Sequence, residues 1–118
     1  MKKVFLAFVL VAVLLTAVCF AEEVISWQDA GKYVGQIKTV EGTVVDVKVL
    51  EKISLLNFHT DYKKHFSAVI FPENYAKFPE KLNATYLGKK IKVTGEIVLY
   101  KEKPEIVLKD IKQIEIVK

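Results

Sequence analysis

One phrase occurs twice in this chain, and the fold has to give both copies the same geometric task. Residues 33–45 read YVGQIKTVEGTVV and residues 86–98 read YLGKKIKVTGEIV, so Tyr33, Gly35, Val40 and Gly42 recur as Tyr86, Gly88, Val93 and Gly95 at a constant offset of 53 residues. Val44 and Val45 are answered by Ile97 and Val98. The sequence between the copies is dissimilar, and two copies fall short of a repeat array, which needs at least about three stacked units.

Each copy opens a run of period-two alternation, the pattern of a half-buried strand. Val45, Val47 and Val49 alternate with Asp46 and Lys48 in the first strand, residues 37–50. The adjacent pair Val44 and Val45 breaks the alternation and predicts a bulge or sharp bend over residues 42–45. Residues 53–59 read as a second strand and the apolar run from Phe66 to Phe71 as a buried third, ended by Pro72. Residues 72–88 give one or two irregular helical turns, with Pro72 suited to a first turn, a break at Pro79 and Gly88 as terminator. The fourth strand covers residues 89–100, and a turn at KEKP leads into EIVLKD and the edge-like QIEIVK. Ahead of them all, Ser26 can cap a short helix that Gly31 weakens and that ends near Gly35.

Two long strands bent at Gly42 and Gly95, with a helix before the second, describe a mainly β architecture. It is a five-stranded OB-fold Greek-key barrel with a short helix between strands three and four and a short N-terminal helix. In that fold the first strand pairs with both the second and the fourth, and the helix after strand three plugs one end. The repeat then marks two strands that must each curl around the barrel.

The N-terminus limits where such a domain works. Met1-Lys2-Lys3, an apolar block from Val4 to Val18 and Cys19-Phe20-Ala21 are the three parts of a secretory signal, with cleavage expected after Ala21. The block sits at or below the roughly 17 residues a spanning helix needs, so a retained anchor is the weaker alternative. The expected organisation is therefore a signal peptide over residues 1–21 and one OB-fold domain over residues 22–118, exported to the periplasm or beyond, with no membrane span after cleavage. Cleavage would remove the single cysteine and leave a domain without a disulfide.

Removing Lys2 and Lys3 leaves 16 lysines against 14 acids, a weakly basic balance. There is no arginine, so every cation is a point charge without the bidentate guanidinium fork. That counts against direct base reading and against transition-state clamps on phosphate, which lean on the fork.

The stretches VEGTVVDV, LLNFHTDYKKHFSAVIFPENYAKFP and YLGKKIKVTGEIVLYKEKPEIVLKD together resemble the small bacterial OB-fold domains grouped as tRNA-anticodon-binding-like and secreted-nuclease-associated. The resemblance covers nearly all of residues 22–118 and implies a nucleic-acid-binding module. The chain departs from the pattern at Glu102, where a small residue or glycine is usual, and in HTDYKKH, which is richer in histidine and lysine.

Ligands of this fold lie across strands two and three, flanked by the loops joining strands one to two and four to five. That surface gathers Lys48, Lys52, Asn57, His59, Tyr62, Lys63, Lys64, His65 and Phe66, with Tyr100, Lys101 and Lys103 from the last hairpin. Lysines can track a phosphate backbone while aromatic rings stack on unpaired bases at about 1–3 kcal/mol per base, so single-stranded DNA or RNA is the expected partner. Phe58, Phe66, Phe71 and Phe78 are expected in the core. Tyr62 and Tyr100, set in polar loops, are the stacking candidates.

His59, Asp61 and His65 could ligate a metal, but they share one loop and have no cysteine or further histidine to complete a site, so neither metal nor cofactor is expected. A nuclease would need clustered carboxylates and a cation aimed at a pentavalent phosphate, and neither is indicated. The chain reads as a binding module without catalysis. The alternative is an adaptor for a protein, peptide or glycan in the cell envelope, which the small net charge also fits.

Overall fold

The computed structural model describes residues 23–118, and the expected signal segment lies outside the described residues. Among the described residues no helix is long and apolar enough to cross a membrane. Strand β1 (Val24–Ser26) leads into a 3-10 helix over Trp27–Tyr33, whose first turn is capped by Ser26 Oγ accepting from Gln28 N–H at 3.2 Å. Then come β2 (Ile37–Thr43), β3 (Asp46–Val49), β4 (Ser54–Asn57) and β5 (Ser67–Ile70). A 3-10 turn at Pro72–Lys77 and helix α1 (Leu82–Tyr86) lie on either side of Pro79, as the proline break requires. Strands β6 (Lys90–Tyr100) and β7 (Lys103–Val107), a short 3-10 turn at Ile111–Gln113 and β8 (Ile114–Ile116) complete the chain.

The architecture is mainly β and OB-fold-like, with eight strands among the described residues where the sequence predicts five. The path runs β1-β2-β6-β7-β5-β4-β3, with β8 also on β6. The first expected strand is divided at Val44 and Val45 into β2, which pairs with β6, and β3, which pairs with β4. Its two halves thus lie near opposite ends of one open path, joined by the chain and not by a ladder. Val44 N–H still donates to Lys89 O at 2.9 Å, whereas Val45 N–H has crossed to Asn57 O at 2.9 Å. The remaining extra strands, β1 and β8, are three residues each.

Val40 faces Val93 across the antiparallel β2–β6 ladder, and these are the same position of the repeat. A repeat position that faces its own copy generates a local two-fold axis through that pair. The flanking backbone obeys it: Gly35 N–H donates to Ile97 O at 2.7 Å, and Gly88 N–H to Val44 O at 2.8 Å. Gly35 and Gly88 have φ of +87° and +80°, a region that is unstrained only without a Cβ. Each turns the chain from a helix ending in tyrosine into its long strand. The bend glycines have a different reason: a Cβ on Gly42 would strike the Trp27 ring and lie 2.7 Å from Phe58 Cδ1, and one on Gly95 would lie 2.8 Å from Ile106 Cγ2.

Core and outer positions follow from alternation. Leu56, Phe58, Ala68 and Ile70 point inward with Val40, Val93, Ile97 and Ile106, and Leu82 and Tyr86 of α1 close one end. Three of the four phenylalanines expected in the core are buried there, but Phe71 is exposed. It follows inward Ile70 by one residue and therefore points to the other face.

Candidate nucleic-acid interface

The outer face of β3, β4, β5 and β7 carries a row of polar residues in direct register. Asp46 faces Asn57, Asn57 faces Ser67, and Ser67 faces Glu105. Asn57 Nδ2 donates to Asp46 Oδ2 at 3.2 Å, Ser67 Oγ donates to Asn57 Oδ1 at 2.6 Å, and Lys103 Nζ donates to Ser67 Oγ at 2.7 Å. Lys48 joins the Asp46 end at 3.6 Å and Glu105 sits 3.7 Å from Lys103 at the other. Asn57 is 0 % exposed, Glu105 5 % and Lys103 7 %, so the row from Asn57 to Glu105 is interior, while Asp46 and Lys48 at its other end stay partly exposed.

The interior part is buried because the loop between β4 and β5, residues 58–66, folds back over it. Tyr62 O accepts from Lys103 Nζ at 2.7 Å. The Tyr62 ring lies 5.5 Å from Lys48 Nζ and 5.6 Å from Lys103 Nζ, so both cations meet the electron-rich ring. At the neck of the loop, His59 and His65 stack with centroids 4.0 Å apart, and both rings pack against Trp27 at 6.2 and 5.9 Å. His59 Nδ1 accepts from Asp61 N–H at 2.9 Å and Lys64 N–H donates to Asp61 O at 3.2 Å, which tightens the turn between.

Beside the folded loop lies a groove of about 660 Å³. Its apolar part is Ile53, Leu55 and Phe71; Tyr62 and Tyr100 contribute rings, and Lys52, Lys63 and Lys101 contribute ammonium groups. Lys103 and Glu105 complete the lining. Burial pulls the Lys103 ammonium below the usual lysine range, opposed by the nearby Glu105 carboxylate. Burial likewise holds the Glu105 carboxyl above the usual range, opposed by Lys103. Tyr100 is presented by a two-residue hairpin turn in which Lys101 and Glu102 have φ of +49° and +68°. The turn keeps its two-residue form without glycine at Glu102, at a conformational cost.

The structure divides the residues singled out from the sequence. Lys52, Tyr62, Lys63, Tyr100 and Lys101 meet in the groove. Lys48 lies against the Tyr62 ring but outside the groove lining, Lys64 is exposed in the loop, and His59 and His65 form its neck. Asn57 and Lys103 do not face solvent: both have their polar atoms committed to the buried row. Phe66 is in the core. Among the described residues no group of three or more histidine, cysteine or acidic residues is placed to hold a metal ion.

Sequence reasoning missed Ile53, Leu55 and Phe71 in the groove, and Trp27 at the loop neck. The alternation of SLLNF and SAVIF around the inward residues Leu56 and Ile70 carries the signal for Leu55 and Phe71. Nothing local to Trp27 links it to histidines more than thirty residues away.

Residues 38–114 match the family described as OB-fold nucleic acid binding domain. The chain belongs to that family. Among curated proteins, none matches the sequence. Solved structures share the OB-fold at low identity. A putative aspartyl-tRNA synthetase from Leishmania major Friedlin aligns with TM-score 0.56 and 12 % identity, over 83 % of this chain and 21 % of that one. The asparaginyl-tRNA synthetase of Entamoeba histolytica in complex with asparaginyl-adenylate gives TM-score 0.55 and 16 % identity, over 82 % of this chain and 24 % of that one. The S. pombe Stn1-Ten1 complex gives 0.54 and 12 %, over 70 % of this chain and 58 % of that one. This OB-fold chain therefore spans between a fifth and a quarter of either synthetase.

Proposed function

We propose that this OB-fold protein binds single-stranded nucleic acid, DNA or RNA, in the groove between the β3–β4 turn, the folded loop and the β6–β7 turn, and does so without catalysis. The observation that carries the reading is the joint placement of two tyrosine rings and three lysines around one apolar groove. Unpaired bases can stack on Tyr100 and Tyr62 while the ammonium groups meet phosphate. A duplex keeps its base faces stacked inside and offers the rings nothing. The N-terminal segment and the resemblance to secreted OB modules support export as part of the same reading.

Fluorescence anisotropy of labelled single-stranded DNA, single-stranded RNA and duplex tests it. Micromolar or tighter binding to a single strand, weaker binding to duplex, and weaker single-strand binding in Lys63→Ala and Tyr100→Ala are expected. Absence of binding at low salt would overturn the reading and turn attention to a protein, peptide or glycan partner in the envelope.

A further inference from the structure

A strand lying across β4 and β5 in this protein would meet the 58–66 loop before it met the sheet. Tyr62 is tied down through both its carbonyl and its ring; the buried Lys103 ammonium serves both ties, and Lys48 adds a second cation at the ring. Lys103 Nζ has three donors: one is given to Tyr62 O and one to Ser67 Oγ, each at 2.7 Å, and the third faces Glu105. No donor is left for a phosphate. The neck is held independently by the His59–His65–Trp27 stack, so the loop is fixed at tip and base.

We propose that Lys103 is a positioning residue that latches Tyr62 over the sheet and thereby limits the nucleic-acid footprint to the groove. This rests on the nucleic-acid reading above. With the loop latched, the polar row from Asn57 to Glu105 is closed to ligand, and the open volume of about 660 Å³ is that of a small-ligand pocket. It takes about one or two bases, against roughly 4–16 nucleotides for OB-folds that track a strand. The protein would then hold a short or terminal unpaired segment and not a continuous strand. Releasing the latch would uncover the face of β4 and β5 and lengthen the footprint.

Two measurements on the wild type and on the double variant Lys103→Met/Glu105→Leu test this. The double variant removes the latch together with its counter-charge, so no unpaired charge is left buried and folding is preserved. In the first, limited trypsin digestion with mass spectrometry follows cleavage after Lys63 and Lys64 without any nucleic acid. Cleavage there is expected to rise about tenfold or more in the double variant, the factor one charge-assisted hydrogen bond is worth. In the second, affinity is measured against oligonucleotides of one to twelve residues. Wild-type affinity is expected to level off by about three nucleotides, while the double variant keeps gaining with length.

Equal cleavage in the two proteins would overturn the latch, whatever the protein binds. Wild-type affinity that climbs steadily to eight or more nucleotides would overturn the footprint claim. Faster cleavage without binding by either protein would leave the latch standing, remove its nucleic-acid role and sink the reading on which that role rests.

Discussion

Removing the Lys103 ammonium alone, in Lys103→Met, breaks a buried charge pair and its hydrogen bonds at once. The variant loses two hydrogen bonds from a charged donor, each 2.7 Å long, and leaves Glu105 buried without its counter-charge. Breaking one side of a buried pair costs about 3–5 kcal/mol. Both side chains are less than a tenth exposed, so water does not screen the loss. A domain of this size has a total stability of about 5–15 kcal/mol, so at least about a fifth would go.

The effect has a pH signature with a fixed sign. In the wild type burial raises the Glu105 carboxyl and Lys103 opposes the rise; without Lys103 the rise is larger. A carboxyl raised above its unfolded value contributes stability that is present below that unfolded value and is lost as pH rises through the folded one. The gap between wild type and Lys103→Met therefore widens on going from about pH 4.5 to pH 8. Urea unfolding at both pH values measures it, and adding Glu105→Leu should recover most of the loss at pH 8. A loss below about 1 kcal/mol at pH 8, or a gap that does not depend on pH, would refute the reasoning.

Other expectations are smaller and separate. Glu102→Gly should stabilise the β6–β7 hairpin by up to about 1–2 kcal/mol in thermal or urea unfolding, because φ of +68° costs a side chain what it does not cost glycine. Gly42→Ala should destabilise by about 1–3 kcal/mol, since its methyl would enter space held by the Trp27 and Phe58 rings; a neutral result would mean that those rings move freely. Tyr100→Ala should weaken single-strand binding by about 1–3 kcal/mol in anisotropy titrations while leaving the unfolding midpoint near wild type, because the ring is more than half exposed.

The repeat was legible because its function is backbone pairing, which the same residues serve at both positions. Val40 against Val93 and the paired Gly35 and Gly88 turns require only local sequence. The division of the first strand was legible too, as two adjacent valines cannot both follow an alternation. Strand β8 lies within the edge-like alternation of QIEIVK, whereas β1 was harder, since three residues ahead of a helix give too little pattern to measure a period.

The site was legible as a set of residue types and much less as a surface. Asn57 and Lys103 are polar residues at outward positions, and outward normally means wet. What makes them interior is the contact between Tyr62 and Lys103, 41 residues apart, which no local pattern encodes. Phe71 shows the opposite error: it sits in an apolar run whose last residue points to the outer face and becomes part of the groove.

The most direct test of single-strand binding in this groove is the salt dependence of the association constant. Of the four lysines that line the groove, Lys103 has its donors committed and Lys52, Lys63 and Lys101 do not, and each phosphate contact on a single strand contributes about −0.7 to the slope of log K against log salt. The account predicts a slope of about −2 for a short single-stranded oligonucleotide, falling by about one contact's worth in Lys63→Ala. A slope near zero with affinity intact would contradict it, because the ligand would then be held without its phosphates.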